Sequence, residues 1–213
     1  MPPISLTDTS KVHSGLELGN ASLLDFWRWA YSDLSDDDVK GAFAEWIVQK
    51  LLGIEATRRI LWANSDLITL SGVRIEVKSS AYWQSWKYLD ENGQPLAKAL
   101  HEPTSKRAKI RFTGLMAGDS TQTDRSKKMD FKSDLYVFAF QNETNLIRWN
   151  ALDLGQWEFY LVTKQKLVDR GWKSISLQTL YNEFGPLSAE RLSVCGREEI
   201  RRVEDAQRTT RKD

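Results

Sequence analysis

The stretch from Asp66 to Ser80, DLITLSGVRIEVKSS, contains two apolar runs that are separated by Ser-Gly. This pattern predicts a β-hairpin, with DLIT as its first strand and VRIEVKS as its second. Side chains alternate along a strand, so Glu76 and Lys78 are expected on the same face of the second strand. Whether Asp66 shares that face depends on the length of the turn.

Two turn lengths fit the hairpin. A two-residue turn would place Asp66 opposite Val77, with its carboxylate on the wrong face. A three-residue loop, 70–72, with Gly72 at positive φ would place Asp66 opposite Glu76. Ser-Gly is a weaker two-residue turn signal than Asn-Gly, and glycine suits the third loop position, so we favour the three-residue loop.

In that register, the carboxylates of Asp66 and Glu76 oppose each other, with their Cβ atoms about 5 Å apart. Their repulsion is relieved if a hard divalent cation lies between them, which predicts Mg²⁺, with Mn²⁺ as a substitute. Such a metal activates a water molecule that Lys78 could hold or deprotonate. The alternative is a solvent-facing hairpin with a Glu76–Lys78 surface pair, which would contribute little stability.

Composition limits the protein class. The chain has 213 residues, 41% of them hydrophobic and 28% charged, and a net charge of +1, as expected for one globular domain. This charge balance neither indicates nor excludes a nucleic-acid partner. A single cysteine, Cys195, and two histidines predict no intramolecular disulfide and no Cys/His zinc site. Without a long apolar run or a signal-peptide pattern, we expect a cytoplasmic protein and no membrane partner.

The order of predicted elements indicates an α/β domain with helices before and after a central sheet. We expect residues 1–19 to be flexible, residues 20–196 to form a single domain and residues 197–213 to fray as a charged tail. Before the sheet, we expect a short helix from Ala21 to about Ser32 and a second helix that is capped by Ser35 and closed by Gly53. After it, we expect three more helices: a short one with the sequence KQKLVDRG, one capped by Ser176 and one that begins at Ser188. Besides the hairpin, the expected strands are RRILW at 58–62, residues 108–113, DLYVFAF from Asp134 and WEFYLVT from Trp157, and residues 114–132 are expected to form an exposed loop.

Glu45 is a third candidate carboxylate, on the helix that ends at Gly53. Its neighbours at helical spacing are Gly41, Val48 and, further along, Leu52, so Glu45 does not lie in the middle of a polar stripe. We therefore expect it to be partly buried or at a boundary, within reach of the hairpin.

A helix with an inward Glu, then Asp, then Glu-x-Lys on the following strand resembles the PD-(D/E)xK nucleases of the restriction-endonuclease-like fold. The wider text KGAFAEWIVQKLLG, SDLITLSGVRIEVKSSAYWQSW and SDLYVFAF resembles a bacterial group within that superfamily, over roughly Leu23 to Phe184. One departure is that Ser65 precedes Asp66, where the motif has Pro. The resemblance implies a central mixed β-sheet flanked by helices, and Mg²⁺-dependent hydrolysis of phosphodiester bonds in nucleic acid, with DNA as the first choice.

The resemblance also implies roles for individual residues. Asp66 and Glu76 would ligate the metal, together with the backbone carbonyl of Val77. Lys78 would act on the attacking water, and Glu45 would contribute directly or through a metal-bound water.

Other residues are candidates for substrate contact. Ser80, Tyr82 and Gln84 follow the motif and are expected at the rim of the site. For the Tyr82 ring, packing in the core is an equally good interpretation. Basic residues that could contact phosphates are Lys106, Arg107, Lys109, Arg111, Arg125, Lys127 and Lys128, although a solvated loop explains them equally well. The tryptophans are expected in the core rather than as platforms for stacked bases, namely Trp27, Trp29, Trp46, Trp149, Trp157 and Trp172.

Two other functions fit the same residues. One is a non-catalytic nucleic-acid-binding or assembly module on this scaffold, and the other is a structural domain with ordinary surface charges. The sequence does not decide whether the nucleic acid is DNA or RNA, or whether the protein is a monomer or a homodimer.

Overall fold

The computed structural model of the chain describes residues 21–55, 59, 63–84, 90–92, 94, 107–118 and 129–210. Several sequence predictions lie outside these residues: the flexible segment 1–19, the strand at 58–62 apart from Arg59, and the basic residues Lys106, Arg125, Lys127 and Lys128.

Helices precede and follow a central sheet. The helices are α1 (Leu23–Tyr31), α2 (Asp37–Leu52), α3 (Lys164–Asp169), α4 (Leu177–Phe184) and α5 (Ala189–Thr210). The strands are β1 (Leu67–Ile68), β2 (Arg74–Ala81), β3 (Arg111–Phe112), β4 (Leu135–Gln141), β5 (Trp157–Thr163) and β6 (Ile175–Ser176). Short 3₁₀ turns occupy Arg107–Lys109 and Leu154–Gln156.

The main sheet has four strands in the order β1-β2-β4-β5. Strand β2 is antiparallel to β1 and parallel to β4, and β5 is antiparallel to β4, so the sheet is mixed. Strands β3 and β6 form a separate antiparallel pair. Every residue of β4 is buried, which confirms the prediction from the continuous apolar run DLYVFAF. The expected mixed α/β architecture is confirmed.

Each face of the sheet is covered by a different set of elements. Helices α2 and α5 pack on the face that carries Ile75 and Val77. The opposite face, with Phe138 paired to Lys78, packs against residues of β3, β6, α3 and α4. Glu76 and Lys78 therefore project from the face opposite to that covered by α2.

Local capping explains where α2 begins and ends. Asp36 is the N-cap, because its side chain accepts hydrogen bonds from the backbone N–H groups of Asp38 and Val39. The prediction of Ser35 as the cap is wrong by one residue, since the Ser35 hydroxyl donates to Asp33. The helix ends at Gly53, which has φ 67°, as expected for a glycine C-cap.

The hairpin has the three-residue loop. Leu67 pairs with Ile75, and the Thr69 N–H donates to the Val73 carbonyl at 3.0 Å, which leaves residues 70–72 as the loop. Gly72 has φ 93°. The predicted register, with Asp66 opposite Glu76, is confirmed.

The predicted fraying of residues 197–213 is wrong for the part of the chain that the structure describes. Helix α5 continues to Thr210, and Ile200 is buried against α2 and the sheet. Leu192, Gly196, Ile200 and Val203 recur at helical spacing and form a narrow stripe that numerous charged residues obscure in the sequence.

The prediction of tryptophans in the core holds for only part of the set. Trp157 is buried, whereas Trp29 is 83% exposed, Trp46 is 52% exposed and Trp27 is 40% exposed. In α1, the aromatic residues are distributed around the helix, so a single buried face cannot take them all.

The ends of the predicted loop 114–132 are packed rather than exposed. Leu115 and Phe131 are buried in the layer that contains Phe138, and Ala117 forms an antiparallel bridge with Asp130. The middle of this segment, 119–128, lies outside the described residues. Among the described helices, none combines the length and the apolar character that crossing a membrane requires.

Candidate functional site

Glu76 and Lys78 form an ion pair on β2, with Lys78 Nζ 2.8 Å from Glu76 Oε1. Their side chains are both partly buried, unlike a fully solvated surface pair. The second carboxylate oxygen of Glu76 accepts a weak hydrogen bond from the hydroxyl of Ser133, at 3.4 Å. Ser133 is completely buried just before β4, and no motif in the sequence indicated it.

The backbone also approaches Lys78 closely. Gly114 follows β3, and a Cβ atom at that position would lie 3.9 Å from Lys78 Nζ. Gly114 has φ 65°, a left-handed conformation that favours glycine. The turn after β3 therefore brings main chain to the catalytic lysine candidate.

Asp66 lies directly before β1, and its side chain continues the hydrogen bonding at that edge of the sheet. Its Oδ2 accepts a hydrogen bond from the Val77 N–H at 2.8 Å, in place of the backbone carbonyl of a longer β1 strand. The N–H and C=O of one strand residue point toward the same edge, so the Val77 carbonyl is directed to the side where Asp66 lies. This arrangement brings together three oxygen donors proposed from the sequence.

The electrostatic environment of Asp66 favours additional positive charge. Burial and, next, the negative charge of Glu76 raise the pKa of Asp66 to about 7. The Val77 N–H and the Lys78 ammonium act in the opposite direction but do not compensate. A cation between Asp66 and Glu76 would therefore stabilise the ionised pair.

Glu45 lies on α2, beside the buried residues Ala44 and Val48, and its side chain is only 10% exposed. Both of its carboxylate oxygens accept hydrogen bonds from Arg59, Nε to Oε2 at 2.6 Å and Nη2 to Oε1 at 2.5 Å. The hydrogen bond to Glu45 raises the pKa of Arg59, and the charge of Asp66 raises it further. Sequence reasoning missed Arg59, because no periodicity places it beside Glu45.

The donor set fits Mg²⁺, although it does not form a complete protein cage. Among the residues described, no three His, Cys, Asp or Glu side chains come together closely enough to hold a metal ion. Mg²⁺ commonly uses one or two carboxylates and keeps several waters, so Asp66, Glu76 and the Val77 carbonyl suffice as ligands. Burial and, after it, the charge of Glu76 raise the pKa of Asp66, so a bound cation would stabilise the ionised carboxylate.

The three candidate rim residues have different surroundings. Ser80 is partly buried on β2, on the same face as Lys78. The Tyr82 ring packs edge-on against Phe140, with the ring centroids 4.9 Å apart, so it contributes to the core. Gln84 lies after β2 and is partly buried.

Arg107 is taken up by an internal ion pair. Its two terminal nitrogens each donate to Glu158 at 2.6 Å, and its guanidinium lies over the Tyr181 ring. This pair anchors the 3₁₀ turn to β5, and a phosphate contact of Arg107 stays a prediction. Lys109 is exposed, and Arg111 is exposed with a hydrogen bond to Ser174.

No family model, curated protein or solved structure matches the chain. The assignment of a function therefore rests on the residues of this site and on their geometry.

Proposed function

We propose that the protein is a metal-dependent nuclease of the PD-(D/E)xK type, with a restriction-endonuclease-like fold, that hydrolyses phosphodiester bonds of nucleic acid, with DNA as the first choice. The observation that carries the proposal is the hairpin register. It places Asp66 opposite Glu76 at the edge of a mixed sheet, with Lys78 paired to Glu76 on the same strand.

Each residue then has a chemical role. Asp66, Glu76 and the Val77 carbonyl would hold Mg²⁺, which would supply polarisation of a phosphoryl oxygen and a more acidic water. Lys78, paired with Glu76 as an ammonium, would orient the attacking water and stabilise the negative charge that develops during the attack. Ser133 and the main chain at Gly114 restrict the positions of the Glu76 and Lys78 side chains.

The geometry supports a site rather than a solvated surface for two reasons. Glu76 and Lys78 are partly buried, and Asp66 is sufficiently buried beside Glu76 that its pKa is raised to about 7. A strongly perturbed titratable group beside a specific charged neighbour is typical of functional sites.

The direct test is a cleavage assay on supercoiled plasmid, single-stranded DNA and RNA, with Mg²⁺ or with EDTA. Wild-type protein should cut at least one substrate with Mg²⁺ and none with EDTA. Lys78→Ala and Glu76→Gln should each lower the rate by about 100-fold or more, since general acid–base groups and metal ligands contribute at least that much.

Lys166→Ala is the matched control, because Lys166 is an exposed lysine on α3 outside the site. Its rate should equal that of the wild type. Binding of nucleic acid by both wild type and Lys78→Ala, with cleavage by neither, would contradict the nuclease proposal and favour a non-catalytic binding module.

A further inference from the structure

Glu45 and Arg59 form a bidentate pair, and Asp66 is near enough for its charge to act on Arg59. Arg59 donates from Nε and Nη2 to the two oxygens of Glu45, at 2.6 and 2.5 Å. The carboxylate is nearly buried, whereas the arginine side chain is 46% exposed. The pair is therefore anchored at the helix and open to solvent at the guanidinium.

This geometry limits what Glu45 can do for a metal. A charge-assisted bidentate pair is among the stronger hydrogen-bonded arrangements in proteins. Direct ligation would require Glu45 to give up at least one of its two hydrogen bonds to Arg59. Among the described residues, no guanidinium holds Asp66 or Glu76 in this way. These two residues already supply the carboxylates that Mg²⁺ commonly takes from a protein.

The exposed side of Arg59 retains donors for another anion. A guanidinium has five N–H groups in a planar fork, and the pair with Glu45 uses one on Nε and one on Nη2. The remaining donors, on Nη1 and Nη2, have no partner among the residues that the structure describes. Such a fork matches the oxygens of a phosphate group.

Arg59 is also close to the carboxylate pair electrostatically. Asp66 is among the charges that act on Arg59, and Glu45 in turn acts on Asp66. Asp66 therefore interacts with Arg59 on one side and with Glu76 and Lys78 on the other. A phosphodiester bound through a metal at Asp66 would thus approach a second cation at Arg59.

We propose that Arg59 is a substrate-binding residue that contacts the phosphodiester next to the metal site, and that Glu45 is the positioning residue that holds the guanidinium. This inference rests on the proposed nuclease function. It gives Glu45 a role through Arg59 instead of a place among the metal ligands.

Two affinities separate these roles in the intact protein. The first is the affinity for Mn²⁺, measured by electron paramagnetic resonance. The second is the affinity for a short fluorescein-labelled DNA duplex in EDTA, where no cleavage occurs. The variants are Arg59→Gln, Glu45→Gln, the double variant and Arg59→Lys.

We expect Arg59→Gln to weaken duplex binding by about tenfold and to reduce the salt dependence by about one phosphate contact. Glu45→Gln should also weaken duplex binding. The double variant should bind duplex as tightly as Arg59→Gln, because both substitutions disrupt the same Arg59 contact. Arg59→Lys should recover only part of the loss, since lysine lacks the fork. Both single variants should bind Mn²⁺ as tightly as the wild type.

Arg148→Gln is the matched control, because Arg148 also donates through Nε and Nη2 to one carboxylate, that of Glu143. It should leave both affinities unchanged. Loss of Mn²⁺ affinity in Glu45→Gln but not in Arg59→Gln would overturn the proposal and return Glu45 to the metal. Unchanged duplex affinity in a folded Arg59→Gln or Arg59→Lys protein would also overturn it.

The outcome is distinguishable from failure of the nuclease proposal. If the wild type binds duplex but cuts none of plasmid, single-stranded DNA and RNA, the nuclease function fails. Arg59 remains a phosphate-binding residue in that case if Arg59→Gln binds more weakly. If the wild type binds none of duplex DNA, single-stranded DNA and RNA, both proposals fail.

Discussion

At the scale of single residues, Asp66 has opposing effects on the fold and on the proposed metal site. Its side chain completes the hydrogen bonding of β2 through the Val77 N–H. Its negative charge, however, is partly buried near Glu76. The neutral form therefore suits the metal-free fold, whereas the ionised form suits metal binding.

Asp66→Asn should stabilise the metal-free protein at alkaline pH. The pKa of Asp66 is raised from 3.8 to about 7 in the folded state, so folding favours its protonated form. The wild type loses stability as pH rises between these values, because the unfolded chain then binds fewer protons at this group. Each pKa unit corresponds to ~1.4 kcal/mol, which limits the gain of Asp66→Asn above pH 7 to about 4 kcal/mol.

Urea denaturation in EDTA across this pH range measures the effect. The difference between Asp66→Asn and wild type should be largest above the folded-state pKa and should vanish below the unfolded-state pKa. Asp205→Asn, at an exposed position on α5, should show no such trend. A gain that is equally large at acid pH would show that burial of the charge is not its cause.

The sequence was sufficient for the residues whose placement depends on local geometry. Strand alternation placed Glu76 and Lys78 together, and the glycine at the third loop position brought Asp66 opposite Glu76. It was not sufficient for Arg59 or Ser133, because their neighbours come from distant parts of the chain. The same limitation applies to the ion pair between Arg107 and Glu158, which are also far apart in the chain.

At the scale of elements, α5 is positioned by close contact with the end of α2. Gly196 is buried, and a Cβ atom there would overlap the side chain of Leu52. Arg197 also donates to the Leu51 carbonyl, at 3.2 Å, near the end of α2. The helix that appeared from its charges to be a frayed tail is therefore part of the core.

Gly196→Ala and Gly41→Ala should change stability in opposite directions. Both glycines lie within helices, where alanine is favoured by about 1 kcal/mol. Gly41 has open space at its Cβ position, so Gly41→Ala should increase the free energy of unfolding. At Gly196 the overlap with Leu52 should cost about 1–3 kcal/mol and outweigh the helix preference.

Urea denaturation at one pH is sufficient to measure both effects. Equal stabilisation by the two substitutions would show that α2 and α5 separate easily.

The sequence could predict β4 and β5 because their apolar runs are continuous, whereas the core side of α5 is a narrow stripe among charges. Predicting the contact at Gly196 would have required the packing of two helices far apart in sequence.

At the scale of the whole molecule, the sheet separates two packed layers and leaves the candidate site at the edge near β1. Two surface grooves, of about 430 and 690 Å³, lie along α5 and are not lined by Asp66, Glu76 or Lys78. The candidate site is defined by the hairpin register, which places Asp66 opposite Glu76.

The most direct test of this account is calorimetric titration of Mn²⁺ at about pH 8, above the pKa of Asp66. The wild type should bind one ion per chain, and Asp66→Asn and Glu76→Gln should each lose most of that affinity. Lys78→Ala should still bind, because its ammonium opposes the metal and is not a ligand. Equal Mn²⁺ affinity in wild type and Asp66→Asn would contradict the central claim that the opposed carboxylates form a metal site.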